Sequence, residues 1–556
     1  MKRTCYLVLV LLPALLATSC TGQKRSPHDH AAAVVGIEGD INTFNPLFTQ
    51  ELMEGEIAEL LYPALVASEF DTSKGFLDYS PLLSKSWERR NGGMDLLFHL
   101  RTDASWSDGA PVTARDVQLS YEIYGDPEVA SVRQAAVERL RLTKGKLDIS
   151  KSVEAVNDST VIFHFAEPYA GQLYDAGLPI LPAHILSRSS RGDLRTSPVN
   201  KSPVPSGPFQ LGKWLPMQET IWVPNESSRL PYPALLSQLV FRVIPDYRTR
   251  LEQLRSGEVD LVVGLRVEDA DRLEREEPSL QIISIPGRDY DFIAWNNIDG
   301  KAFMTSEGRT ILAHALFGSA AVRRALTMAI NRSEIVAAYL GKHGREAIAG
   351  VSPLFKWAYD ETLIPLPYST AQALAVLAKE GWRDTDGDGI LDRNGKPFAF
   401  ALKVPAGNQL LNVVAVVVQR QLREAHIDMA VEQVDQAALL QQMMQRTFDA
   451  MIVGLSLPLQ MQLDELWGSD LNRYPFNVAG FRHARVDQIL DAARNLDQEV
   501  QGAALWREFQ RVLLDQQPCT FLYWKNTVVG VNKRLRSTNI GVYAITHKAW
   551  EWNIGG

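Results

Sequence analysis

Residues 98–121 read FHLRTDASWSDGAPVTARDVQLSY. Phe98-His99-Leu100 alternates apolar and polar side chains, as a half-buried strand does. Ser107-Asp108-Gly109 supplies turn chemistry, with Gly109 free to take a positive φ. Thr113-Ala114-Arg115-Asp116 is a capping-box variant in which Thr113 accepts from the Asp116 amide. Val117, Leu119, Ser120 and Tyr121 then carry a short amphipathic helix forward. Strand, tight turn and capped helix define an α/β unit, and many functions are built on such units.

The chain has 556 residues, of which 46% are hydrophobic and 22% charged. That is enough for two or three lobes with sizeable cores. A formal charge of −8 without a long basic run argues against a nucleic-acid partner. Residues 1–20 read as a targeting segment: Lys2 and Arg3 precede the apolar run Tyr6 to Leu16, which is too short to span a bilayer comfortably. The run ends Leu16-Ala17-Thr18-Ser19-Cys20, which resembles a lipobox, so residues 1–20 are expected to be a lipoprotein signal peptide and Cys20 the lipidated residue. A plain secretory signal is the alternative. Two or more acyl chains would hold the protein at a membrane surface, with residues 21–33 as a tether. Once Cys5 leaves with the signal and Cys20 takes lipid, only Cys519 remains, so no intramolecular disulfide is expected. Within Cys519-Thr520-Phe521-Leu522-Tyr523 that thiol reads as a small buried hydrophobe.

The stretch 98–121 closely resembles the signature of the family 5 extracellular solute-binding proteins, the oligopeptide, dipeptide and nickel receptors of bacterial ABC importers. The likeness continues in Asn42-Thr43-Phe44-Asn45-Pro46, Leu60-Leu61-Tyr62-Pro63-Ala64-Leu65, Ser206-Gly207-Pro208-Phe209 and Val322-Arg323-Arg324-Ala325-Leu326. The resemblance implies an α/β, periplasmic-binding-protein-like fold (type II, cluster C) with two main lobes, a hinge and an extra subdomain. Residues 34–62, 204–296 and 520–556 are expected to form lobe I, 63–203 the extra lobe II and 297–519 lobe III, with the ligand cleft between lobes I and III. The implied function is that of a substrate-binding lipoprotein of an ABC importer, monomeric and extracytoplasmic, which captures peptides or peptide-like solutes by lobe closure and presents them to permease subunits. A nickel chelate or an oligosaccharide is the alternative solute, and a peptide sensor or chaperone without transport is the alternative role.

No enzyme motif is complete. Gly454-Leu455-Ser456-Leu457-Pro458 lacks the second glycine of a nucleophile elbow, and no HExxH or P-loop occurs. Asp384, Asp386, Asp388 and Asp392 match most of a calcium loop, but Gly395 stands where a bidentate Glu is needed, so a structural Ca2+ competes with a plain Asp-Gly turn. By the resemblance, an aspartate that pairs with a peptide's ammonium group is expected after the strand at Phe448–Gly454. Here the segment reads Leu455-Ser456-Leu457-Pro458-Leu459, and the first acids downstream are Asp464 and Glu465. Burying an ammonium group without an anion costs several kcal/mol, so a blocked peptide or an amine held by Asp464 or Glu465 is expected instead. Phe44, Asn45, Trp295, Asn296, Ser456, Leu457, Asn477 and Phe481 are the residues expected to face the cleft. Cys20→Ala is expected to release the protein from membranes; persistent lipid labelling of that variant would refute the anchor.

Overall fold

The structure is a computed structural model that describes residues 31–143, 146–496 and 499–555; Cys20, the signal segment and residues 21–30 of the expected tether lie outside them. Its spine is one mixed sheet of eleven strands. Phe209–Leu215, Glu219–Pro224, Gln238–Val243, Ala32–Ile37 and Leu261–Val263 form the first half in that spatial order, and Ala450–Ser456, Ala399–Pro405 and Asp428–Val434 close the far end. Two long strands join the halves. Leu280–Trp295 and Cys519–Asn532 run antiparallel beside each other, pairing from Leu280↔Asn532 to Ala294↔Cys519. We call them the first and second crossing strands.

Residues 238–263 form a strand–helix–strand. Asp246 accepts from the Thr249 amide at 2.8 Å and starts the helix Tyr247–Ser256, which Gly257 ends with φ 77°. Its two strands are not neighbours: Gln238–Val243 and Leu261–Val263 flank Ala32–Ile37, and both run parallel to it. That strand begins at Ala32, inside the stretch expected to be tether, because Ala32 and Ala33 carry no polar group and pair with Gln238 and Leu239. Asp260 anchors the arrangement. Its buried carboxylate accepts from the Val34 amide at 2.8 Å and from two nitrogens of Arg534 at 2.5 and 2.6 Å. The N-terminal and C-terminal segments are thereby held on one charge, and unpairing it would cost about 3–5 kcal/mol.

The opening stretch sits apart, on a four-stranded antiparallel sheet ordered Ser84–Arg90, Asp95–Leu100, Thr160–His164, Val153–Asn157. Gly109 takes φ 89°, and the Thr113–Asp116 capping box is formed. The helix Ala114–Tyr124 lays Tyr121 against Phe163 with ring centroids 4.7 Å apart. Asn408 accepts from the Leu411 amide and begins the helix Gln409–Glu424. Ser319 occupies the cap position of Ala320–Met328, but its hydroxyl donates to Glu380 at 2.8 Å instead of capping. Cys519 is fully buried, as expected, and burial pushes its thiol pKa up.

The ladder between the crossing strands is interrupted between Ile285 and Asp289. Pro286 has no N–H to contribute there. Gly287 lets the strands touch: a Cβ on it would lie 1.6 Å from the Lys525 carbonyl oxygen. The Gly287 amide donates to Asn526 Oδ1 at 3.2 Å, and its carbonyl accepts from Ser352 Oγ at 3.0 Å. Gly287→Ala is expected to destabilise the fold by about 1–3 kcal/mol through overpacking and to alter the solution envelope measured by small-angle scattering. An unchanged melting curve and envelope would show that the crossing tolerates a methyl group.

Candidate functional site

Alternation along the crossing strands separates two faces. Tyr290, Phe292 and Trp524 stack on one, with Tyr290 4.7 Å from Trp524 and 5.2 Å from Phe292 between ring centroids. Asp291 and Lys525 lie on the other. Asp291 is fully buried and binds Lys525 Nζ at 2.7 Å. Gly454 makes room for this pair, since a Cβ there would lie 2.4 Å from Asp291 Oδ1.

The strand Ala450–Ser456 pairs along its whole length with the first crossing strand, from Asp289↔Ser456 to Trp295↔Ala450. On its other side only Ala450 and Met451 are paired, with Leu402 and Lys403. The edge from 452 to 456 has no further ladder partner among the described residues. Gly454 and Ser456 are exposed there. The Leu457 amide donates to the Arg288 carbonyl at 3.0 Å, Arg288 Nη1 donates back to the Leu457 carbonyl at 2.6 Å, and Ser456 Oγ donates to Asp289. An open strand edge on a fixed scaffold can accept an extended chain by backbone hydrogen bonds.

Contacts at two places draw the small sheet region against the far half. In the hairpin Val66–Asp71/Phe76–Pro81, Phe70 meets Phe355 edge-on at 6.0 Å, and the Gly75 carbonyl accepts from Trp357 Nε1 at 2.9 Å. Gly75 has φ 85°, and a Cβ there would lie 2.5 Å from the Lys356 amide nitrogen, so only glycine fits. Farther along, the Ala170 amide donates to the Leu496 carbonyl at 2.7 Å. Arg139 lies 3.7 Å over the Tyr169 ring and donates to the Arg494 carbonyl and to Asn495 Oδ1 at 3.1 and 3.2 Å. Tyr169 in turn donates to the buried Asp175.

Most residues expected to face the cleft are held inside the protein instead. Phe44 is buried edge-on against Trp214 and Trp222. Asn45 donates to Asn200 Oδ1 at 2.8 Å and accepts from the Leu47 amide. Trp295 donates to Thr520 Oγ1, and Asn296 bridges the carbonyls of Arg446 and Phe448. Asn477 ties a loop through Gly468 and Phe481, and Phe481 packs on Trp467. Leu457 is fully buried because alternation turns it toward the apolar face. Ser456 alone of the set is exposed. Of the two acids expected to hold an amine, Asp464 is taken by Arg494. Glu465 is exposed and has no hydrogen-bond or ion-pair partner among the described residues. Partial burial, Glu138 and Asp464 all raise its pKa. The carboxylates of Asp384, Asp386 and Asp388 converge within 4.8 Å. They accept from loop amides, for example Gly387 on Asp384 at 2.7 Å. Asp392 does not join them: its buried carboxylate takes the amide and hydroxyl of Thr385. Arg288, Asp291, Lys525 and Arg139 were invisible as site residues in the sequence, because strand register and lobe contact bring them together and no local motif marks them.

The mixed sheet with its two crossing strands has the fold of a solute-binding protein. Residues 78–461 match the model of the bacterial extracellular solute-binding proteins, family 5, and the chain belongs to that family. The chain is 28% identical to the oligopeptide-binding protein AppA of Bacillus subtilis, over 95% of this chain and 94% of that one. It is 23% identical to the probable D,D-dipeptide-binding periplasmic protein DdpA of Escherichia coli, over 96% of each. The solved structure of Bacillus subtilis AppA with a nonapeptide superimposes with TM-score 0.74 at 27% identity, covering 94% of this chain and 99% of that one. NikZ of Campylobacter jejuni, solved with Ni(L-His), shares the fold with TM-score 0.75 at 21% identity, over 94% and 99% of the two chains.

Burial holds the Asp175 carboxyl up at about 7, offset in part by the Tyr169 hydroxyl and Arg139. The ordinary value is 3.8, so the folded state retains a proton that the unfolded chain loses between these limits. Stability from this group is therefore full below about pH 4 and lost as the pH rises through about 7. The melting temperature of Asp175→Asn minus that of the wild type is expected near zero at about pH 4 and increasingly positive toward about pH 8. A constant difference by scanning calorimetry would refute this assignment.

Proposed function

We propose that this chain is the solute-capturing component of an ABC importer and that its solute is a peptide or peptide-like molecule. The open edge at 452–456 carries the reading. It offers backbone donors and acceptors beside the crossing strands, and pairing with such an edge tolerates many side-chain sequences. The AppA structure with its nonapeptide supports the same reading. The lobes are 34–62 with 204–296 and 520–556, then 63–203, then 297–519, and the solute lies between the first and the last. Lobe closure is favoured because the solute touches both sides only in the closed form. The role is binding, with no covalent chemistry on the solute. The chain acts as a monomer held to the extracytoplasmic side of a membrane through lipid on Cys20, where importer permease subunits meet the closed form.

A second reading, a metal chelate in the cleft, draws on the absence of acid from Val453 to Leu463 and on the engagement of Asp464 by Arg494. Mass spectrometry of small molecules released by denaturing the full chain, purified in detergent, separates the two. Peptides are expected; a metal chelate or a glycan in their place would overturn the peptide reading.

A further inference from the structure

A cavity of about 60 Å³ lies between the helix Leu52–Leu61, the strand that begins at Val66 and the C-terminal segment 543–550. It has room for a few waters, hence for a small head group and not an aromatic ring. Its polar lining includes Glu56, Glu59, Ser68, Tyr543, His547 and Lys548. Two of the charges are already satisfied. Glu56 is buried and accepts from the Ile545 and Thr546 amides at 2.9 and 2.8 Å and from Thr546 Oγ1 at 2.8 Å. Lys548 Nζ is bound to Glu69 at 2.7 Å.

Glu59 and His547 differ. Glu59 is half-buried, one turn beyond Glu56, and its one described hydrogen bond is a long one from the Tyr543 hydroxyl at 3.4 Å. No cation forms an ion pair with it among the described residues; Arg133 acts on it from farther away. Burial holds the His547 pKa down at about 4, with Lys548 adding to the effect, so the ring is neutral at pH 7. Its Nε2 is buried and unpartnered among the described residues. Tyr174, 40% exposed, lies within the fields of Glu59 and of Arg288 at the crossing. Tyr543 packs against the apolar cluster under the crossing strands.

We propose that this cavity is a subsite for a lysine side chain of the bound peptide, with Glu59 as counter-ion and Tyr543 Oη and His547 Nε2 as neutral acceptors. An ammonium group carries three donors, which these three acceptors match. The broader guanidinium of arginine fits a space of this size less well. The inference rests on the peptide reading and adds a side-chain preference to a backbone-driven site.

The test uses the full chain in detergent and a synthetic pool of tetra- to octapeptides in which lysine and norleucine occupy matched positions. Bound peptides are counted by mass spectrometry. Lysine forms are expected to be enriched about fivefold or more over their norleucine isosteres. That ratio is expected to collapse toward one in Glu59→Gln and to fall in Tyr543→Phe, which deletes a single oxygen; melting curves taken in parallel check folding. Bound peptides without lysine preference, or with the same preference in Glu59→Gln, would overturn the subsite and leave the peptide reading standing. If no peptide binds, the peptide reading fails, and n-butylammonium then probes the cavity directly. Thermal stabilisation of the wild type but not of Glu59→Gln supports the ammonium site, and its absence overturns it.

Discussion

Leu280–Trp295 and Cys519–Asn532 are each long enough to belong to both halves of the sheet, and they are hydrogen-bonded to each other. Any motion of one half against the other must bend this pair without breaking its ladder, because an unpaired backbone group in the interior costs free energy. The ladder is irregular at two places, between Ile285 and Asp289 and between Asp291 and Phe292, and the first leaves the longer gap. At Pro286-Gly287 the ladder is already interrupted, an N–H is missing, and the strands approach so closely that a side chain would collide with the Lys525 carbonyl. The last strand of the far half, Ala450–Ser456, is registered on the first crossing strand. Its open edge therefore keeps a fixed position relative to the bend.

Charge is used in two ways around this frame. Deep in the structure it is paired and immobile: Asp260 with Arg534, Asp291 with Lys525. Such pairs add little net stability over an apolar equivalent but penalise every arrangement that separates them, which suits strands that must stay in register. Elsewhere charge is incompletely paired. Glu465 and Glu59 both sit above their ordinary pKa, raised by burial, with neighbouring acids adding for Glu465 and Arg133 partly offsetting for Glu59. Carboxylates held this way gain most from an arriving cation. A receptor that grips main chain along an edge gains affinity without sequence selectivity, and the selectivity then falls to such side-chain pockets.

The stretch 98–121 was legible to the residue: strand, glycine turn and Thr113–Asp116 cap all stand where the local chemistry puts them. The Asp246 cap and the Gly257 stop are local in the same way. Caps and turns depend on atoms within a few residues, so sequence suffices for them. The candidate cleft residues fared differently. Phe44, Trp295 and Phe481 are aromatics, which serve packing as well as binding, and these pack. Asn45, Asn296 and Asn477 hold loop backbones in place. Arg139, Arg288, Asp291 and Lys525 come from separated segments, and none carries a local mark.

Sequence alone thus determined the α/β class, the buried character of Cys519, the absence of a complete catalytic motif and the family, because these reside in short-range pattern and composition. The tertiary structure decided where the chain bends, which edge is left open and which acids lack partners. Those properties follow from register between strands separated by more than two hundred residues, as in Asp291 with Lys525 and Asp260 with Val34. A local pattern shows that a carboxylate exists; only the packed fold shows whether anything is there to neutralise it.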